Sequence, residues 1–196
     1  MRFSRTEVEH LLRAWVLISL AFAILLSGFR LDFTFVVALV FSSITAGIGF
    51  LGHELMHKYV AQKYGCWAEF RANDFMLGLM VLLSFFGFIF AAPGGVFIAN
   101  HVTLRKNGII SLAGPATNIV FGILFALLTI VLPEPLRPLG TYGMNINFWL
   151  GFFNLIPLPG IDGSKVLAWN KAVYAVALVV SVVLVFGASA LLSRAF

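Results

Sequence analysis

Phe50–Val60 reads FLGHELMHKYV, two histidines and a glutamate set in an otherwise apolar stretch. On a helix, His53 and His57 are separated by roughly 40° around the axis and ~6 Å along it, so both imidazoles reach one ion. Glu54 falls on a neighbouring face, placed to take a proton from water rather than to bind the ion itself. Zinc suits such a site, since it accepts imidazole and carboxylate ligands and leaves one position for water. An ionisable group at the bilayer centre costs roughly 2.5–3.5 kcal/mol on insertion scales, and shared metal coordination would compensate it. The competing reading is a satisfied buried His/Glu cluster.

A third ligand is needed, and the sequence offers His10, His101 and several carboxylates. His10 stands beside Glu7, Glu9 and Arg13 in a charged N-terminal segment and reads as a solvated surface residue. His101 reads as an interfacial histidine. Asp162 fits better. It lies in NLIPLPGIDGSK, where Pro157 and Pro159 unwind a helix end and turn a carboxylate back into the protein. The alternative is a helix-terminating turn in which Asp162 bonds its own backbone.

The elements that must position these groups follow from composition. The chain has 196 residues, 61% of them hydrophobic and 11% charged, with a mean hydropathy of +1.00. Soluble domains carry about 25% charged residues, so the chain reads as an all-α polytopic membrane protein of one domain, residues 1–196. Apolar runs predict helices at about Leu11–Phe29, Thr34–Tyr59, Asn107–Leu132, Tyr142–Ile156 and Ala172–Leu192. The core is expected at about 34–170, with peripheral helices at 11–29 and 172–192. No small-x-small cleavage site follows the first run, which is read as an uncleaved helix. A single cysteine, Cys66, excludes an internal disulfide. The net charge of +5 is scattered over segment ends, which argues for membrane orientation and against a nucleic-acid partner. The four tryptophans, Trp15, Trp67, Trp149 and Trp169, are expected as interface anchors or packing residues.

Asp74–Asn100 starts like a span and then breaks at APGGVFI. If it enters and returns, and the N-terminus is inside, the inner side holds ten Lys and Arg. These are Arg2, Arg5, Arg13, Lys58, Lys63, Arg71, Arg105, Lys106, Lys165 and Lys171; Arg30, Arg137 and Arg194 stay outside. That distribution obeys the positive-inside rule, so a re-entrant segment is expected. Irregular backbone at membrane depth must be buried in protein or face a water-filled cavity, so an aqueous cleft is expected with it. The same topology puts Asp162 level with the inner end of the His53–His57 helix.

HELMH, SLAGPATN and NLIPLPGIDG, in this order and each at a membrane segment, resemble the site-2 protease family of intramembrane zinc metalloproteases. The nearest resemblance is to its small archaeal members, and it covers about Thr34 to Asn170. It implies His53, His57 and Asp162 as ligands of one zinc ion and Glu54 as the catalytic base. It also implies a substrate or transition-state role for Asn154 and Asn118, and a membrane-embedded β element drawn from WAEFR and GGVFI. The activity implied is regulated intramembrane proteolysis: cleavage within a transmembrane helix of a protein substrate, near the cytoplasmic side of the cell membrane. Apart from the resemblance, a strand around Gly95, in Gly94–Ile98, is expected either to bind the unwound substrate by β-addition or merely to line the cleft. The first and last helices would form a lateral gate. Two departures stand out. Met56 fills a position that is commonly Gly or Ala in the family, which would narrow the groove. No PDZ domain or CBS tail is expected, only a loop at about Pro133–Gly143 between the second and third motifs. The rival reading is a non-catalytic metal-binding protein or a transporter.

Overall fold

The computed structural model describes all residues but 31, 90–92, 101 and 196, with side chains through Ala188; His101 therefore lies outside the described residues. Helix α1 (Arg5–Ser27) starts at Ser4, whose hydroxyl accepts the Glu7 N–H at 3.1 Å, and stops at Gly28 in the left-handed conformation. Helix α2 (Phe33–Ser42) runs through a π-helical turn, Ser43–Gly47, directly into α3 (Ile48–Lys63). Strand β1 (Trp67–Ala72), helix α4 (Asp74–Ser84) and strand β2 (Gly94–Ala99) follow, then α5 (Leu104–Val131). A 3₁₀ turn at Glu134–Leu136 leads to α6 (Arg137–Asn154), α7 (Asp162–Trp169) and α8 (Lys171–Ala195).

Four helices among the described residues are long and apolar enough to cross a membrane: α1, the joined α2–α3, α5 and the described length of α8. The architecture is all-α and polytopic, as composition requires, but α6 is missing from that set. Its 18 residues include Asn145, Asn147 and Asn154, and it packs along α5 with Asn147 fully buried. Helix α6 also begins at Arg137, so most of the loop expected at Pro133–Gly143 is helical. Helix α7 was not anticipated as a separate element, because its apolar run is interrupted by Asp162 and Lys165.

The segment after α3 does turn back. β1 and β2 pair antiparallel from Trp67↔Ala99 to Ala72↔Gly94, and the Asn73 N–H donates to Pro93 O at 2.9 Å. The chain thus returns at Pro93 to the point where it left at Asn73, with α4 in between. One core cluster joins α1, α3, β1 and α4 through Leu11, Ile18, Phe50, Phe70, Leu77 and Met80. A second joins α6 and α8 through Met144, Phe148 and Val185.

Close packing of α5 on α6 depends on Gly122. A Cβ there would lie 2.3 Å from the Phe148 ring, which is only 3% exposed and has nowhere to move. Gly122→Ala should therefore lower unfolding stability in detergent by about 1–3 kcal/mol, read from denaturant midpoints.

Candidate active site

His53, Glu54 and His57 sit mid-helix on α3, all buried. The π-helical turn just before them breaks the regular backbone ladder, and side chains take up two of its carbonyls. Trp15 Nε1 donates to Ser43 O at 3.0 Å and Asn147 Nδ2 to Thr45 O at 3.4 Å. Such single π turns are frequent at functional sites.

The tautomers of both histidines follow from their partners. Asn118 Nδ2 donates to Gly49 O at 3.0 Å and to Asn147 Oδ1 at 3.2 Å, so its Oδ1 is the atom 2.6 Å from His53 Nδ1. A carbonyl only accepts, which puts the His53 proton on Nδ1. His57 Nδ1 lies 2.7 Å from Ile110 O and is a donor by the same reasoning. Both Nε2 atoms therefore carry lone pairs, and they face each other at 3.0 Å. Asp162 Oδ2 closes the triangle, 3.3 Å from His53 Nε2 and 3.0 Å from His57 Nε2.

Three acceptors with no donor among them repel unless a cation lies between them. A tetrahedral zinc ion holds ligands at ~2.0–2.1 Å, which places them roughly 3.3–3.4 Å apart, within a few tenths of an ångström of the triangle seen here. The residues present fit a divalent metal. They form the one group of His, Cys, Asp and Glu among the described residues able to hold an ion.

Asp162 reaches the site from the first turn of α7, immediately after the Pro157–Ile161 turn, and not from a cap that bonds its own backbone. Its Oδ1 lies 3.6 Å from Lys165 Nζ, which leaves Oδ2 to the imidazoles. Glu54 is buried beside the triangle, and its Oε2 has no hydrogen-bond partner. In a medium where an unpaired polar atom is costly, that oxygen is held ready for something absent from the chain itself.

Gly114, in SLAGPATN, explains how α5 comes so close. A Cβ there would lie 2.5 Å from His57 Nε2 and 2.6 Å from His53 Nε2. All four motif residues line a cavity of about 950 Å³, together with Asn118, Asn154 and Gly95. Asn118 faces it with its amide already engaged. Asn154 donates one N–H to Leu150 O at 2.9 Å and keeps its second N–H. Met56 does not line the cavity, so it does not narrow it.

β2 forms one wall. Glu7 and His10 accept the N–H groups of Phe70 and Ala72 at 3.0 Å each, the alternate set that antiparallel geometry turns away from β2. That edge of β1 is closed. By the same alternation Gly95 and Phe97 point their N–H groups at β1, whereas Val96 and Ile98 point theirs to the open edge. His10 is thus not a solvated surface residue but a half-buried acceptor for the strand.

Sequence reasoning passed over Asn147, whose amide links the π turn to Asn118, and the partner of Lys58. The signal for Asn147 was available, since an asparagine within an apolar run needs a partner. Asn118→Leu should release the His53 ring and weaken divalent-metal affinity about 10–100-fold, measured by competition with a chromophoric chelator.

No family model and no solved structure matches the chain. Three curated relatives do. "Putative zinc metalloprotease MJ0611" of Methanocaldococcus jannaschii is 40% identical over 182 residues, covering 89% of this chain and 90% of that protein. "Putative zinc metalloprotease Rip2" of Mycolicibacterium smegmatis is 32% identical over 131 residues, 57% of this chain and 49% of that protein. "Putative zinc metalloprotease YwhC" of Bacillus subtilis is 26% identical over 144 residues, 63% of this chain and 66% of that protein. With the ligand triangle and the orphaned glutamate in place, the first of these covers enough of the sequence to decide the matter: the chain belongs to the site-2 protease-like family of zinc metalloproteases.

Proposed function

We propose that the chain is an intramembrane zinc endopeptidase that hydrolyses a peptide bond within a transmembrane segment of a protein substrate. The observation that carries this reading is the convergence of His53 Nε2, His57 Nε2 and Asp162 Oδ2 beside the unpartnered Glu54 Oε2. His53, His57 and Asp162 would hold the zinc. Bound there, zinc supplies a Lewis acid that polarises the scissile carbonyl and acidifies water. Glu54 takes a proton from the attacking water as its oxygen adds to the carbonyl carbon, then delivers that proton to the amine nitrogen as the C–N bond breaks and the carbonyl re-forms. The free N–H of Asn154 on the cavity wall is available to the substrate backbone or to the developing oxyanion.

A helical substrate hides its carbonyls in its own ladder and must unwind first. The open edge of β2 offers the Val96 and Ile98 amides to the unwound strand, and Gly94, Gly95, Val96 and Ile98 line the cavity. The cytoplasmic N-terminus rests on charge. Lys58 drops out of the count because it is buried against Glu7, which leaves nine inner cations against three outer ones. The active site then lies toward the cytoplasmic face of the cell membrane.

Glu54→Gln should abolish cleavage of a model transmembrane peptide while the protein still binds one metal ion, and a chelator should abolish wild-type cleavage reversibly. A Glu54→Gln protein as active as wild type would overturn the assignment. Val96→Pro removes an outward amide and spares the β1 ladder, so it should cut kcat/KM by about tenfold with metal binding intact, whereas Phe97→Pro should disrupt the sheet itself.

A further inference from the structure

The proposed chemistry leaves one buried ion pair unused. Glu7, on the first turn of α1, is 0% exposed, and Lys58, the residue after His57, is 1% exposed. They are paired through Lys58 Nζ and Glu7 Oε2. The other Glu7 oxygen accepts the Phe70 N–H at 3.0 Å. Phe70 stands opposite Val96 in the sheet register. One carboxylate therefore ties the metal-binding helix, through Lys58, to the strand that carries β2.

The tie belongs to a regular series. Ser4 donates to Glu69, Glu7 accepts from Phe70, His10 accepts from Ala72, and Arg13 donates to both oxygens of Asp74 at 2.7 and 2.8 Å. The contacts thus advance in three-residue steps from the Ser4 cap along the start of α1, while their partners advance along β1 and into the first residue of α4. The Phe3 ring covers the pair, its centroid 4.0 Å from Lys58 Nζ. Stability does not account for such a device, because replacing a buried ion pair with apolar residues is often neutral or stabilising. What the pair supplies and apolar packing does not is a fixed register between α3 and the sheet.

We propose that Glu7 and Lys58 are positioning residues that set the distance between the metal ligands on α3 and the open edge of β2. This rests on the peptidase reading above. It also makes α1 part of the fixed core, unlike the gate helix expected from the sequence.

The test uses the full-length zinc-loaded protein with Glu7→Gln, Lys58→Met and both together. Three readouts are taken: zinc per chain, kcat and KM on a transmembrane peptide, and the electron-spin dipolar distance between labels at Tyr59 and Phe97 in a Cys66→Ser background. The double variant removes both charges, so it stays folded even if a single variant, left with one uncompensated charge, does not. In the double variant we expect full zinc occupancy, a broadened Tyr59–Phe97 distance distribution, and kcat lowered by about 100-fold with KM little changed. Wild-type kcat or a wild-type distance distribution in the double variant overturns the proposal. So does zinc loss in step with activity, or failure of the double variant to fold, since either makes the pair a support of the metal site or of the fold alone. Should the wild type cleave nothing, the peptidase reading fails, and the distance measurement still judges the tie.

Discussion

Three lone-pair atoms converging in an apolar interior are the constraint around which the molecule is arranged. His53 Nε2, His57 Nε2 and Asp162 Oδ2 meet because their other polar atoms are already spoken for. Asn118 fixes one ring, the Ile110 carbonyl fixes the other, and Lys165 stands at the second oxygen of the carboxylate. Three elements share the restraints: α5 supplies Asn118 and the Ile110 carbonyl, α7 supplies the carboxylate with Lys165, and α6 steadies Asn118 through Asn147. Hydrocarbon offers no water to satisfy a misplaced donor or acceptor, so such networks have to close on themselves.

That requirement also decides how close the helices come. Gly114 removes the one Cβ that would otherwise occupy the space between the imidazoles, and Gly122 does the same for the Phe148 ring. The π turn before the HExxH residues exposes carbonyls that Trp15 and Asn147 then occupy. Geometry near the site is thus set by small residues and side-chain amides, not by bulk apolar packing, which dominates the lipid-facing surfaces.

Much of this was readable in advance, because charge in an apolar run is conspicuous. HELMH and Asp162 announce themselves by type and spacing, and the broken run after Asp74 announces a chain that turns back. What stayed hidden were pairings across long sequence distances. Glu7 and Lys58 each read as an ordinary charge at a segment end, and nothing local links residue 7 to residue 58. His10 looked solvated for the same reason: its partner is a backbone N–H 62 residues away. The alternation of amides along β2 required the observed register, since sequence alone does not say which of Gly95 and Val96 faces outward. Helix α6 reads as a span from its apolar residues, and what the sequence leaves open is where its asparagines find partners: Asn147 with Asn118, and Asn154 with the Leu150 carbonyl.

The polarity of α6 has a bearing on biogenesis. Three asparagines, one of them the fully buried Asn147, make it a poor candidate for entering hydrocarbon on its own, yet only a short turn separates it from the strongly apolar α5. The two would have to leave the insertion machinery as a hairpin, with the Asn118–Asn147 contact made early and the histidines of the preceding helix awaiting their partner until that hairpin is in place.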